Sequence, residues 1–120
     1  MKIILKTEEF LKLIVAILLI PETGFSYLIF LAWLLAPDIS MVGYVAGNKA
    51  GAFLYNLAHH QGIALAVCLA GYWSYSPEWL FAGLVMFAHS AMDRIFGFGL
   101  KYETGFNHTH LGVIGKKTEQ

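Results

Sequence analysis

Charged residues are scarce in this chain of 120 residues, where Lys, Arg, Asp and Glu together make up only 13%. An average soluble domain has about 25%. Eight basic and eight acidic residues cancel to a net charge of zero, so the chain has no basic field to attract a nucleic acid, and we exclude that class of partner. Cys68 is the only cysteine, which excludes an internal disulfide and a zinc site built from cysteines.

Apolar residues are in excess: they make up 58% of the chain, and the mean hydropathy is +0.60. The length suits a single domain, since one domain usually takes about 100–200 residues. A domain this small keeps most of its residues near the surface and cannot bury so much apolar area. The sequence therefore predicts an integral membrane protein whose main partner is the lipid bilayer.

Four apolar segments predict four membrane helices. The second segment reaches only about 18 Å between Phe25 and Pro37, too little to cross a bilayer, so we expect it to continue to Ala46 as a helix broken at Pro37. Asp38 is predicted to cap the N–H groups that the proline frees. Gly62, Ala66 and Ala70 are predicted to let the third helix approach a neighbour closely. The predicted helices are 3–20, 25–46, 50–73 and a fourth from Pro77 to between Gly97 and Lys101.

The predicted fold class is therefore all-α, a bundle of four transmembrane helices with the second broken at Pro37. Residues 1–101 form the transmembrane domain, and residues 102–120 form a polar C-terminal tail. With alternating helices, all eight Lys and Arg residues fall on one side, and the turns at 21–24 and 74–78 contain none. The positive-inside rule then places both termini in the cytoplasm.

Polar side chains recur at matching depths in these helices. Asp38, Asn56 and Asp93 lie seven or eight residues from the predicted cytoplasmic ends, and His59, His60 and His89 lie about one turn deeper. Asn56 pairs with His59 at i+3, and His89 pairs with Asp93 at i+4, so each pair shares one helix face. A single buried polar residue is more often a hydrogen-bonding contact between helices. Several ionisable residues together exceed what packing needs and predict a functional site.

Four segments of the chain resemble the signature of a bacterial membrane family known as domain of unknown function 4260. They are PDISMVGY at 37–44, YNLAH at 55–59, AHSAMDRIFGFGLKY at 88–102 and THLG at 109–112; Phe98 stands where the family pattern has tyrosine. The resemblance implies a small integral protein of the bacterial cytoplasmic membrane with four helices, and it implies no chemistry. It favours His59 over His60 and supports a role for His110.

The leading hypothesis is a membrane-embedded, metal-dependent enzyme of hydrolase type that opens to the cytoplasm. His59, His89 and Asp93 are the predicted metal ligands, with Asp38 completing a nitrogen and oxygen set that suits Zn²⁺, Fe²⁺ or Mn²⁺. The predicted substrate is an anionic, lipid-like small molecule. Catalytic roles are predicted for Asp38, Tyr44, Asn56 and His110, and substrate binding for Arg94, Lys101 and Tyr102.

Three alternatives use the same residues. A metal-free acid–base enzyme would need no cation. A b-type haem protein would use His59 and His89 as axial ligands. A proton-coupled carrier would use Asp38 at the broken helix, and with only four helices it would have to work as a homo-oligomer.

Overall fold

The computed structural model describes residues 2–97 and the backbone of two short strands in the tail. Within these residues the chain forms five α-helices and two 3₁₀ segments. The α-helices are α1 (Lys2–Leu19), α2 (Tyr27–Trp33), α3 (Asn48–His59), α4 (Gln61–Trp73) and α5 (Pro77–Ile95). The 3₁₀ segments are Ile20–Thr23 and Ala36–Ala46. Strands β1 (His108–Thr109) and β2 (Gly112–Val113) pair antiparallel, with His108 opposite Val113.

Helix α5 is the centre of the packing, with α4 and α1 against it and α3 beside it. It contributes more buried side chains than any other described element, including Phe81, Leu84, Val85 and Ala88 of the main apolar cluster. Small residues bring α4 close to α5: a Cβ on Gly83 would lie 2.6 Å from the backbone nitrogen of Cys68. Only glycine fits there, because real Cβ atoms do not approach backbone so closely.

The break predicted at Pro37 is present. The α-helix ends at Trp33, and the segment from Ala36 to Ala46 is a 3₁₀ helix with Pro37 in its first turn. The predicted capping role of Asp38 is not what the structure shows. Its carboxylate points to His89, with Oδ1 3.0 Å from Nε2. The longer 3₁₀ segment packs along α3 and so sets Asp38 against it.

A second break divides the predicted helix 50–73 into α3 and α4. His60 has an extended backbone, with φ −79° and ψ 119°, and its Nδ1 accepts a hydrogen bond from the N–H of Ile63 as the N-cap of α4. This break rotates the face that α4 buries. Ala64, Cys68 and Gly71 are buried, and the predicted stripe of Gly62, Ala66 and Ala70 is exposed, so that prediction is wrong.

Among the described residues, one segment has the length and composition to cross a bilayer. It runs over the 20 residues from Tyr27 to Ala46. Helices α3 and α4 are too short because of the break at His60, and α4 is apolar but has only 13 residues. Charged side chains along the first half of α1, and at both ends of α5, lower the hydropathy of those helices.

Candidate metal centre

Four side chains from three elements meet at one point inside the helical domain. Asp38 comes from the 3₁₀ helix 36–46, His59 is the last residue of α3, and His89 and Asp93 lie one turn apart on α5. One nitrogen or carboxylate oxygen from each of the four lies within 4.8 Å of the others. The histidine side chains are almost fully buried, whereas Asp38 keeps 35% of its side chain exposed and Asp93 14%.

Each histidine contacts both carboxylates through Nε2. His89 Nε2 lies 3.0 Å from Asp38 Oδ1 and 3.1 Å from Asp93 Oδ2. His59 Nε2 lies 3.4 Å from each of the same two oxygens. Ligands bound at 2.0–2.1 Å in a tetrahedron are about 3.3 Å apart. The four measured separations therefore already match the edges of a metal coordination shell.

The other nitrogen of each ring is held by the backbone. His59 Nδ1 lies 2.8 Å from the carbonyl oxygen of Tyr55, and His89 Nδ1 lies 2.7 Å from that of Leu34. A carbonyl oxygen can only accept a hydrogen bond, so each Nδ1 carries the proton and donates. When a ring is neutral, its lone pair is then on Nε2 and points into the cluster. This backbone contact is the arrangement that orients metal-binding histidines.

Two lone pairs and two carboxylates facing one another repel unless positive charge lies between them. With both imidazoles neutral, the four groups carry a formal charge of about −2, which one divalent cation would balance. The chemistry of the donor set, two imidazole nitrogens and two carboxylate oxygens, suits Zn²⁺, Fe²⁺ or Mn²⁺. The described residues Asp38, His59, His89 and Asp93 therefore form a group that could hold a metal ion.

Tyr55 and Ser90 support the cluster from outside. The ring of Tyr55 stacks on His59, with centroids 3.8 Å apart, and its Oη lies 3.5 Å from Asp93 Oδ2. Ser90 Oγ donates to the carbonyl oxygen of His59 at 2.7 Å, where α3 ends. The sequence prediction included neither residue. The i, i+4 spacing of Tyr55 and His59 could have indicated Tyr55, whereas nothing in the sequence marks Ser90.

Asn56 lines an open cavity of about 740 Å³ together with Lys49 and His60. The residue of α3 whose ring stacks on His59 is Tyr55, four positions earlier. His60 is exposed and His59 is buried, so the preference for His59 is confirmed. Tyr44 packs its ring against Gly51 and lies close enough to Tyr55 to interact with it electrostatically.

Arg94 follows Asp93 in the sequence, and its side chain interacts electrostatically with Glu9 on α1. Glu9 is buried and is bound by Lys12 and Gln61: Lys12 Nζ donates to Glu9 Oε2 and to Gln61 Oε1, both at 2.9 Å, and Gln61 Nε2 donates to Glu9 Oε1. The predicted residues Lys101, Tyr102 and His110 lie outside the residues that the structure describes.

The two histidine rings are too close for the haem alternative. Their centroids are 4.9 Å apart in an edge-to-face contact, and both Nε2 atoms contact the same carboxylate oxygens. Axial histidines lie on opposite faces of a haem, with the macrocycle between them. The rings would have to separate before such a group could enter.

The comparisons with known proteins give a family match and no described chemistry. A family model with the description "Domain of unknown function (DUF4260)" matches residues 2–114. No curated protein and no solved structure matches the chain. The function therefore has to be argued from the geometry of the cluster.

Proposed function

The chain belongs to the DUF4260 family, and from the geometry of its site we propose that it is a membrane-embedded, metal-dependent enzyme of hydrolase type. Asp38, His59, His89 and Asp93 are the ligands of one divalent cation in this proposal. The single observation that carries it is the pair of backbone hydrogen bonds at Nδ1 of His59 and His89. They leave Nε2 of both rings as the nitrogen that faces the two carboxylates, where it can bind a cation together with them.

The distribution of burial supports the catalytic part of the proposal. The two histidines and Asp93 hold the cation from the inside, and Asp38 forms the accessible side of the site. A divalent cation supplies Lewis-acid chemistry towards an ester or phosphoester. A substrate group then approaches past Asp38, the ligand that lies on the 3₁₀ helix and not on an α-helix.

The other predicted site residues differ in where they lie relative to the cluster. Tyr44 packs its ring against Gly51, one turn before Tyr55 on α3, and is proposed as a proton-transfer group. Asn56 lines the open cavity beside Lys49 and His60, and its catalytic role stays a prediction. His110 as a catalytic group, and Arg94, Lys101 and Tyr102 as contacts for an anionic head group, stay predictions.

Support for a membrane location comes from the outside of the domain. The segment Tyr27–Ala46 is apolar and only 17% of its most apolar window is buried. Large apolar side chains are exposed on every α-helix and also in the segments between the helices. The most exposed include Ile3, Leu28, Val45, Trp73 and Tyr75. Soluble monomers rarely expose continuous apolar surfaces of this extent. We propose that α1, the broken pair α3–α4 and α5 also lie in the bilayer of the bacterial cytoplasmic membrane, with both termini in the cytoplasm.

Metal analysis of the protein purified without chelator tests the proposal. We expect about one equivalent of Zn, Fe or Mn per chain, lost in His89→Ala and in Asp93→Asn. His60→Ala is the matched control, since His60 is adjacent to a ligand but exposed, and it should keep the metal. A parent protein without stoichiometric metal, or equal metal in all variants, would contradict the proposal.

The proton-coupled carrier is favoured by one observation, that Asp38 and His59 both lie at helix breaks, as transporter sites do. Uptake into proteoliposomes separates it from the enzyme. Uptake that persists in the presence of chelator and is abolished by Asp38→Asn would favour the carrier.

A further inference from the structure

An apolar cavity of 440 Å³ lies between α2 and α5, on the side of the domain where α5 begins. Its size falls in the range of about 300–1,000 Å³ that small-molecule sites occupy. Aromatic rings form much of its wall: Phe25 packs on Phe81 with centroids 4.7 Å apart, and Trp33 lies nearby. Among the described residues that line it, Glu78 is the only charged one.

One end of this cavity is formed by residues next to the cluster in the chain. Two of its lining residues, Pro37 and Ala58, immediately precede Asp38 and His59. A third, Val85, lies one helical turn before His89. The wall of the cavity therefore includes neighbours in sequence of three of the four cluster residues.

The charges at its two ends differ. Glu78 lies at the far end in the first turn of α5, eight residues and about 12 Å along the helix from Met86 near the ligands. A carboxylate at that end disfavours an anionic group there. A molecule with one polar end at the cluster and an uncharged hydrocarbon body fits both ends.

We propose that this cavity binds the single hydrocarbon chain of an amphiphilic substrate and places its polar end at the metal cluster. The proposal rests on the proposed function for the polar end only, because the cavity is formed by α2 and α5 whether or not a cation is bound. The apolar part lies towards Glu78, near the opposite end of α5 from Arg94.

Trp33 provides a direct reporter of chain binding. In a Trp73→Phe/Trp79→Phe background Trp33 is the only tryptophan, and a brominated medium-chain hydroxamic acid should quench its fluorescence on contact. Ala82→Phe places a ring in the cavity, and we expect the probe to bind about tenfold more weakly or worse. Ala66→Phe is the matched control, because Ala66 is exposed on α4 and lies outside the cavity.

Metal content measured on the same samples separates the two proposals, and far-UV circular dichroism shows that each variant is folded. Quenching of Trp33 that saturates, weakens in Ala82→Phe and in the smaller Ala82→Leu, and is unchanged in Ala66→Phe supports the chain site. Equal quenching in all three variants overturns it. If no metal is found but the cavity variants still weaken quenching, the chain site stands and the metal proposal fails. A probe with a second carboxylate at the chain end should bind more weakly in the parent, and Glu78→Gln should remove that difference.

Discussion

Two backbone carbonyls determine what the imidazoles of His59 and His89 present to the cluster. The carbonyl oxygens of Tyr55 and Leu34 each accept a hydrogen bond from an Nδ1–H group. The ring nitrogen that remains to bind a metal is therefore Nε2 in both histidines. The Leu34 carbonyl is free for this role because the α-helix ends at Trp33, just before the proline. The helix break at Pro37 therefore supplies both a ligand, Asp38, and the acceptor that orients His89.

Ser90→Ala tests this positioning at the level of a single atom. Ser90 Oγ donates to the His59 carbonyl in a buried environment, so the substitution leaves that oxygen without its donor. We expect a loss of about 1–3 kcal/mol in the free energy of unfolding and a metal affinity about 10–100-fold weaker. Unfolding in mixed micelles and metal titration measure the two quantities.

Ser74→Ala is the matched control, since Ser74 makes the same kind of bond to the Ala70 carbonyl but is exposed. It should leave metal affinity unchanged. Equal effects of the two substitutions on metal affinity would mean that Ser90 does not position His59.

At this scale, the four residues of the cluster could be predicted from the sequence. The groups that hold their side chains in place could not. Asp93 four residues after His89, and polar residues at equal depth on neighbouring helices, are patterns visible in the sequence. The hydrogen bonds from Nδ1 go to main-chain atoms, which every residue has, so no residue type marks Leu34. The contact of Tyr55 with the cluster could not be predicted from polarity, because Tyr55 contacts His59 through its aromatic ring.

At the scale of elements, three residues on one face of α3 align the site. Gly51, Tyr55 and His59 are four residues apart and share one face, and the ring of Tyr44 lies over Gly51. Because Gly51 has no side chain, the 3₁₀ helix 36–46 can lie directly on α3, which is also the contact that places Asp38.

Gly51→Ala should therefore push Tyr44 away from α3. We expect an overpacking cost of about 1–3 kcal/mol in the free energy of unfolding. In a Tyr44→Ala background the same substitution should cost much less, since the ring it meets is gone. Unfolding of the two single variants and the double variant gives the coupling energy. Additive effects would contradict this account of the contact.

Helix α1 is joined to the break between α3 and α4 by the buried carboxylate of Glu9, which binds Gln61 at the start of α4 and Lys12 on its own helix. Glu9→Ala removes the acceptor of both and should lower the free energy of unfolding by about 1–3 kcal/mol. Glu8→Ala, one position earlier and exposed, should have little effect. Unfolding in mixed micelles measures both variants. A similar loss of stability in both would show that the hydrogen bonds of Glu9 make no specific contribution to the free energy of unfolding.

The helix order was predictable, because proline, glycine and apolar runs mark most boundaries of α1, α2 and α5. The break at His60 was not, since neither proline nor a charged residue marks it. It depends on contacts from elsewhere in the chain: Glu9 holds Gln61 and Ser90 holds the carbonyl of His59. With α3 and α4 separated there, the face that α4 buries differs from the face that a continuous helix would bury.

At the scale of the whole molecule, a polar centre lies inside a domain with an apolar exterior. All eight Lys and Arg residues were assigned to one end of the predicted bundle, and the turn at 74–76 has none. If the domain spans the membrane in the proposed orientation, Lys49 and Ser74 lie on opposite sides. Both belong to the described part of the chain and are exposed.

Cysteine labelling in whole cells tests this orientation. In a Cys68→Ala background, we expect Ser74→Cys to react with an impermeant maleimide in cells whose cytoplasmic membrane is intact. Lys49→Cys should react only after that membrane is permeabilised. Labelling of both positions in intact cells, or of neither before permeabilisation, would rule out the proposed arrangement.

X-ray absorption at the edge of the bound metal tests the central claim most directly, because it counts imidazole ligands without reference to the fold. We predict scattering from two imidazole rings with oxygen ligands in the parent protein, falling to one ring in His59→Ala and in His89→Ala and staying at two in His60→Ala. A metal without imidazole ligands, or with a ring count that none of the three substitutions changes, would contradict the assignment of the cluster as a metal centre.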